Sequence, residues 1–273
     1  MYNRIKSRQE IIDEWNSMTF SKNFMFCKVM QEEPLCRHAL EILLGIKIDH
    51  LEYPVQEMFF KDSAESHGIR LDVYTKDSNS HFDLEMQTTD STDLLKRSRY
   101  YSSCIDVSEL KPGMHYSELK KNYIIFLCLN DPFGRELPLY TYKTKCIQDD
   151  SLTDDETEKL FYNVGKWEDS DNRDVRNFFK FIKTNEPCDE FTRSLSGQVM
   201  IARQNAEYRR QYMTMEMYGT ERFREGQKQG LLEGSQQTKI EDAKSFYANG
   251  VSIDIIAKSL NMTVDKVMEI INE

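Results

Sequence analysis

The chain has 273 residues, 39% apolar and 30% charged, which suffices for one domain of ordinary size with a smaller appendage. Acidic residues outnumber basic ones, 46 to 36, giving a formal charge of −10, so bulk attraction cannot coat the protein with nucleic acid and any such contact is local. Much of the excess lies between Asp149 and Asp174, where ten carboxylates face three cations; a solvated acidic face is the plainest reading.

No stretch approaches the roughly 18 to 20 apolar residues of a spanning helix, and the first fifteen residues lack the apolar region of a secretory signal, so a soluble, cytoplasmic protein without membrane contact is expected. The six cysteines are scattered with no C-x-x-C, and the five histidines are scattered too. That argues against a zinc cluster or a disulfide framework and for reduced thiols.

Residues 10 to 44 predict two short helices, interrupted by Pro34 and stopped at Gly45. From Ile46 to Gln87 the period changes to two. IRLDVY (69 to 74) and HFDLEMQ (81 to 87) read as the strands of a β-hairpin joined by KDSNS. Residues 90 to 105 return to helical spacing, and a further helical piece after the KPG turn leads into NYIIFLCLN (122 to 130), short enough for a strand buried on both faces. Strands are expected in 137 to 146 and 159 to 164, then a helix over 173 to 183 with Val175, Phe178, Phe179 and Ile182 on its inner stripe. This is an α/β pattern with a mixed central sheet flanked by helices.

Beyond about residue 192 the chain is polar and helix-prone. Gly226, Gly230 and Gly234 each cost a helix about 1 kcal/mol relative to Ala, which predicts a fraying helix or hinge. The expected organisation is a core over 1–190, a glycine-containing linker over 191–238 and a small helical tail over 239–273. In the tail, Gly250 ends one helix, Ser252 caps a second and Thr263 a third. The arrangement resembles a helix-turn-helix, but the last helix offers Asp265, Lys266, Glu269 and Asn272 without an arginine, which favours protein contact or a homodimer over base reading.

The chemistry concentrates in the hairpin. Asp72 shares a face with Arg70 and Tyr74 on one strand, and Asp83, Glu85 and Gln87 share a face on the other. Cross-strand partners summing to 155 set Asp72 opposite Asp83 with Glu85 diagonal; the register summing to 157 sets Asp72 opposite Glu85. Either gathers two or three carboxylates, which repel unless a hard divalent ion such as Mg²⁺, a shared proton or strong hydrogen bonds hold them. The bland alternative is the wet side of a two-faced hairpin, with Arg70 paired to Glu85.

The segments GIRLDVY, FDLEMQ, LLKRSRYY and LKPGMHYSELKKNYIIFLCLND, in that order, resemble the Rpn family of bacterial recombination-promoting nucleases and transposases, a branch of the PD-(D/E)XK phosphodiesterase fold. SKNFMFCKVM, NVG at 163 to 165, the glycine spacer and the tail extend the likeness over most of the chain.

The resemblance implies a restriction-endonuclease-like core acting on DNA, in which Asp72 and Glu85 ligate Mg²⁺ or Mn²⁺, the carbonyl of Met86 adds a ligand, and Gln87 fills the place of the usual lysine. Gln87 can orient water but carries no charge, a lack that Arg97 or Arg99 could make good. Lys96, Arg97 and Arg99 are candidate phosphate contacts, with Arg70 and Tyr101 accessory. Asn23 stands where relatives often carry an aspartate, leaving Glu41 or Glu52 as candidate third acids. The implied activity is a metal-dependent endonuclease linked to recombination or mobile elements; the alternative is a decayed nuclease-like module that binds DNA or protein.

Overall fold

A computed structural model describes residues 6–52, 55–60, 69–149 and 155–272, with backbone alone for 55–60 and 69. Part of the acidic stretch (150–154) and His67 lie outside the described residues. The chain forms two compact units, Glu14–Arg209 and, separately, Met1–Asp13 with Arg210–Glu273.

The larger unit is built on a six-stranded sheet: β1 (Val55–Phe60), β2 (Ile69–Lys76), β3 (Ser80–Gln87), β4 (Lys121–Cys128), β5 (Leu139–Tyr142) and β6 (Thr157–Asn163), in the order β1-β2-β3-β4-β6-β5. β1–β2, β2–β3 and β5–β6 pair antiparallel, whereas β3–β4 and β4–β6 pair parallel. The parallel step from β3 to β4 needs a crossover, supplied by helix α4 (Leu94–Glu109), whose Leu94, Tyr101 and Ile105 join Tyr74, Ile124, Phe126, Cys128 and Phe161 in one apolar cluster.

Three helices precede the sheet: α1 (Arg8–Asn16), α2 (Asn23–Met30) and α3 (Glu33–Leu44). The sequence predicted two. The apolar stripe of α1, RQEIIDEWN, is only Ile11 and Trp15, four residues apart and both buried, among polar neighbours. Pro34 opens α3 instead of interrupting a helix, as suits a residue whose missing N–H falls in the first turn. Gly45 closes it at φ 66°, in the left-handed region.

α5 (Arg173–Thr184) buries Val175, Phe178, Phe179 and Ile182, and α6 (Glu190–Gln204) buries Leu195, Val199 and Ala202. The glycine-containing stretch does not fray: α7 runs from Ala206 to Ala248 through Gly226, Gly230 and Gly234. A bond four residues apart, Gln229 to Glu233 at 2.6 Å, spans Gly230, and a second, Gln237 to Glu241 at 2.8 Å, follows Gly234. After Gly250 (φ 81°), α8 (Ile253–Leu260) and α9 (Val264–Asn272) pack Ile256, Ala257, Val267 and Ile270 against Ala243 in a small separate core. No helix among the described residues is long and apolar enough to cross a membrane.

Candidate metal and phosphodiester site

The β2–β3 register sums to 157: Lys76 pairs with His81, Tyr74 with Asp83 and Val73 with Leu84. Asp77 sets it, because its Oδ1 accepts the N–H groups of Asn79 (2.7 Å) and Ser80 (2.6 Å) and so places the turn at 77 to 80. Continued by one step, that register sets Asp72 opposite Glu85. There side chains replace the ladder: the Asp72 N–H donates to Glu85 Oε1 at 2.7 Å, and the Met86 N–H donates to Asp72 Oδ2 at 3.1 Å. The Nδ2 of Asn23, the first residue of α2, donates to the same Asp72 oxygen.

β3 is central and buried on both faces, so its polar face does not meet water. Asp72 is 5% exposed, Asp83 0% and Glu85 4%. The reading of a wet hairpin face is thereby overturned: β4 covers the edge of β3 that an isolated hairpin leaves open, and α4 covers the face. Burial raises Asp72 above its ordinary range, against hydrogen bonds from Asn23 and Met86 and the charges of Arg70 and Arg97. Asp83 and Glu85 are pushed well up, first by burial and then by the neighbouring acids.

Gln87 ends β3 at the wall of a groove of about 450 Å³ that opens beyond the C-terminal ends of β3 and β4, between residues 89–94 and Asn130–Pro132. Crevices at the carboxyl ends of parallel strands are where such sheets bind ligands. The Gln87 Oε1 accepts Arg97 Nη1 at 3.0 Å and its Nε2 donates to the Thr89 carbonyl. Arg97 Nη2 donates to the Tyr101 hydroxyl at 3.1 Å and lies 3.8 Å from Glu85 Oε2, while the guanidinium carbon stands 5.4 Å above the Phe126 ring. The guanidinium beside Glu85 is thus that of Arg97; Arg70 is exposed. Lys96 and Arg99 are exposed elsewhere on α4 and do not join this cluster.

Neither expected third acid is present. Glu41 accepts the Ile48 N–H at 3.0 Å and Glu52 stands by Lys76 at 3.9 Å, both committed outside the site. The acid that does enter is Asp83. Its two oxygens are buried without a hydrogen-bond donor, and the Glu85 carboxyl beside it can supply one only if one of the two acids is protonated. The sequence signal was the D-x-E-x-Q spacing itself, which puts Asp83, Glu85 and Gln87 on one side of a strand.

Among the described residues no three Asp, Glu, His or Cys side chains gather as one metal-holding group. What the site offers is the buried carboxylates of Asp72 and Glu85, oxygen donors crowded with Asp83 beside the guanidinium of Arg97. That fits a hard ion such as Mg²⁺ or Mn²⁺, which takes one or two carboxylates and keeps water.

A family model described as PD-(D/E)XK nuclease family transposase matches residues 23–229. No curated protein and no solved structure matches the chain. The matched span begins at Asn23, ends within α7 and contains Asp72, Glu85, Gln87, Arg97 and Tyr101. With most of its length so matched, a mixed sheet flanked by helices, and an acidic pair beside a central strand, the chain belongs to the PD-(D/E)XK nuclease family transposases.

Proposed function

We propose that the chain is a Mg²⁺- or Mn²⁺-dependent endonuclease that hydrolyses DNA phosphodiester bonds during recombination or the movement of mobile elements. The family supports a nuclease-like hydrolase acting on nucleic acid, and nucleases of this type generally use divalent metal ions. The observation that carries the finer reading is the buried pair Asp72 and Glu85, locked to each other's strand by main-chain hydrogen bonds, with Glu85 two residues before Gln87, which lines an open groove.

Each carboxylate spends one oxygen on that lock. Asp72 Oδ1 and Glu85 Oε2 remain without a hydrogen bond among the described residues and would hold the ion together with the Met86 carbonyl. When bound, the ion polarises a phosphodiester and lowers the pKa of a water. Gln87, its carbonyl fixed by Arg97, turns its amide nitrogen toward the groove wall and orients the attacking water. Arg97 supplies the positive charge that lysine would bring and stabilises the charge developing on the phosphate. Lys96 and Arg99, exposed on the same helix, contact the phosphate backbone; so few contacts suit a protein of net charge −10.

The test is nicking of supercoiled plasmid by the purified chain and by Asp72→Ala, with Mg²⁺ and with chelator. Nicking that needs both Mg²⁺ and Asp72 is expected; cleavage indifferent to either removes the proposal. Asn23 and Gln87, an amide at each of two places where charge is usual, favour a second reading in which DNA is bound and left uncut. Filter binding without nicking would select it. A homodimer through the C-terminal helices would place two sites for cutting opposite strands; the exposed Leu231 and Leu232 of α7 support it, and a monomer in sedimentation at micromolar concentration would exclude it.

A further inference from the structure

Asp83 is the most deeply buried acid of the site and has no role in the mechanism above. It lies on the face of β3 that carries Glu85, beside Ile124 of β4 and opposite Tyr74 of β2. Among the described residues no amide, guanidinium or hydroxyl donor reaches either of its oxygens, and the one group beside them is the Glu85 carboxyl. The donors around it are committed elsewhere: the Asn23 amide and the Met86 N–H to Asp72, the Asp72 N–H to Glu85, and the Arg97 guanidinium to Gln87 and Tyr101. A buried carboxylate in this condition costs stability unless something brings it protons to accept.

Apart from the Glu85 carboxyl, which is spent on the ion in the metal reading, the described side chains do not. A hydrated cation does, because water on Mg²⁺ or Mn²⁺ donates strongly and these ions retain several such waters. We propose that Asp83 is a positioning residue of the metal centre, accepting hydrogen bonds from water held on the ion that Asp72 and Glu85 ligate, and so filling from β3 the place of the acid that Asn23 lacks on α2. The inference rests on the metal reading given above. It accounts for two facts at once: among the described residues no third ligand converges on the pair, and two orphaned oxygens stand next to it. Partners that orient the surroundings of a metal in this way typically change affinity by about 10- to 100-fold when removed.

The experiment uses the full chain, the parent beside Asp83→Asn and Asp83→Leu. Mn²⁺ affinity is read from the paramagnetic resonance of the free ion, and the midpoint of thermal unfolding is measured in chelator. The expected result is paired and opposite: both variants bind Mn²⁺ at least about 10-fold more weakly, yet Asp83→Leu, which removes the buried acid and leaves no polar atom in its place, unfolds at a higher temperature than the parent without metal. Variants that bind Mn²⁺ as the parent does overturn the role of Asp83 while leaving the metal reading intact. Variants that bind weakly, with Asp83→Leu also melting lower without metal, show a merely structural residue and overturn it too. A parent that takes up no Mn²⁺ at millimolar concentration overturns the metal reading itself.

Discussion

Arg97 and Gln87 are joined at the wall of the groove, guanidinium Nη1 to amide Oε1 at 3.0 Å, so a cation beside the acidic pair and the residue proposed to take the place of the fold's lysine form a single unit. The charge a lysine would carry at the end of β3 is delivered instead from α4, by a side chain that also touches Tyr101 and lies over Phe126. Removing it should be felt in the chemistry more than in the fold. Arg97→Ala is expected to lower single-turnover nicking at saturating Mg²⁺ by about 100-fold or more. Adding Gln87→Lys to that variant should recover part of the loss. No recovery would show that the two positions do not share one role.

Asn23→Asp supplies the acid that the family resemblance implies at this place, but here it exchanges a donor for a like charge against Asp72 Oδ2. Without metal the variant should be less stable by about 1 to 3 kcal/mol, the cost of leaving a buried acceptor unsatisfied. With Mg²⁺ the order should reverse or close. Denaturant unfolding with and without Mg²⁺ reads both; equal losses in the two conditions would count against a cation at this place.

The pH dependence follows from Glu85. Burial first, and then Asp83 and Asp72, raise its pKa well above the ordinary carboxylate range, so the folded metal-free protein retains a proton there that the unfolded chain releases above about pH 4. The folded state then binds more protons than the unfolded one, and stability falls as pH rises from there toward the raised value. Glu85→Gln removes this contribution. In chelator its stability advantage over the parent should grow from pH 5 to pH 8, and in Mg²⁺ the growth should vanish. His81, whose pKa burial lowers, acts in the opposite sense on acidification, but it cancels between variant and parent. An advantage constant with pH would contradict the raised pKa.

Ile256 is fully buried in the small core that α8 and α9 build against Ala243. Ile256→Ala should cost that unit about 2 to 5 kcal/mol, the usual range for emptying such a site. Hydrogen exchange should show protection lost across α8 and α9 with β3 and β4 unaffected; unchanged protection in α8 would mean that this core does not hold the tail together.

How far the sequence reached is clearest in the hairpin. Alternation in IRLDVY and HFDLEMQ located both strands, and KDSNS located the turn, because period two and turn chemistry are local signals. The register was left between two values, since the outcome depends on which residue opens the turn, and the Asp77 side chain decides that. Whether Asp83 faced water or the interior was not legible either: alternation shows that a strand has two faces, while the burial of the second depends on β4 and α4, distant in sequence. The likeness of ordered segments pointed to Asp72, Glu85 and Gln87, and helical spacing put Arg97 with Tyr101 apart from Lys96 and Arg99. Glu41 and Glu52 stand in sequence near the right elements, but the hydrogen bond to Ile48 and the charge of Lys76 that hold them elsewhere are tertiary and leave no local signal. The continuous α7 went against the glycine count because a cost of about 1 kcal/mol at each glycine can be met by neighbouring pairs and flanking helix formers.

The most direct measurement is a crystal structure of the full chain grown with Mn²⁺ and read by anomalous scattering. One peak is expected, bounded by Asp72 Oδ1, Glu85 Oε2 and the Met86 carbonyl, with Asp83 reached through water. Diffraction at millimolar Mn²⁺ that shows no peak there, or a peak held by other side chains, would contradict it.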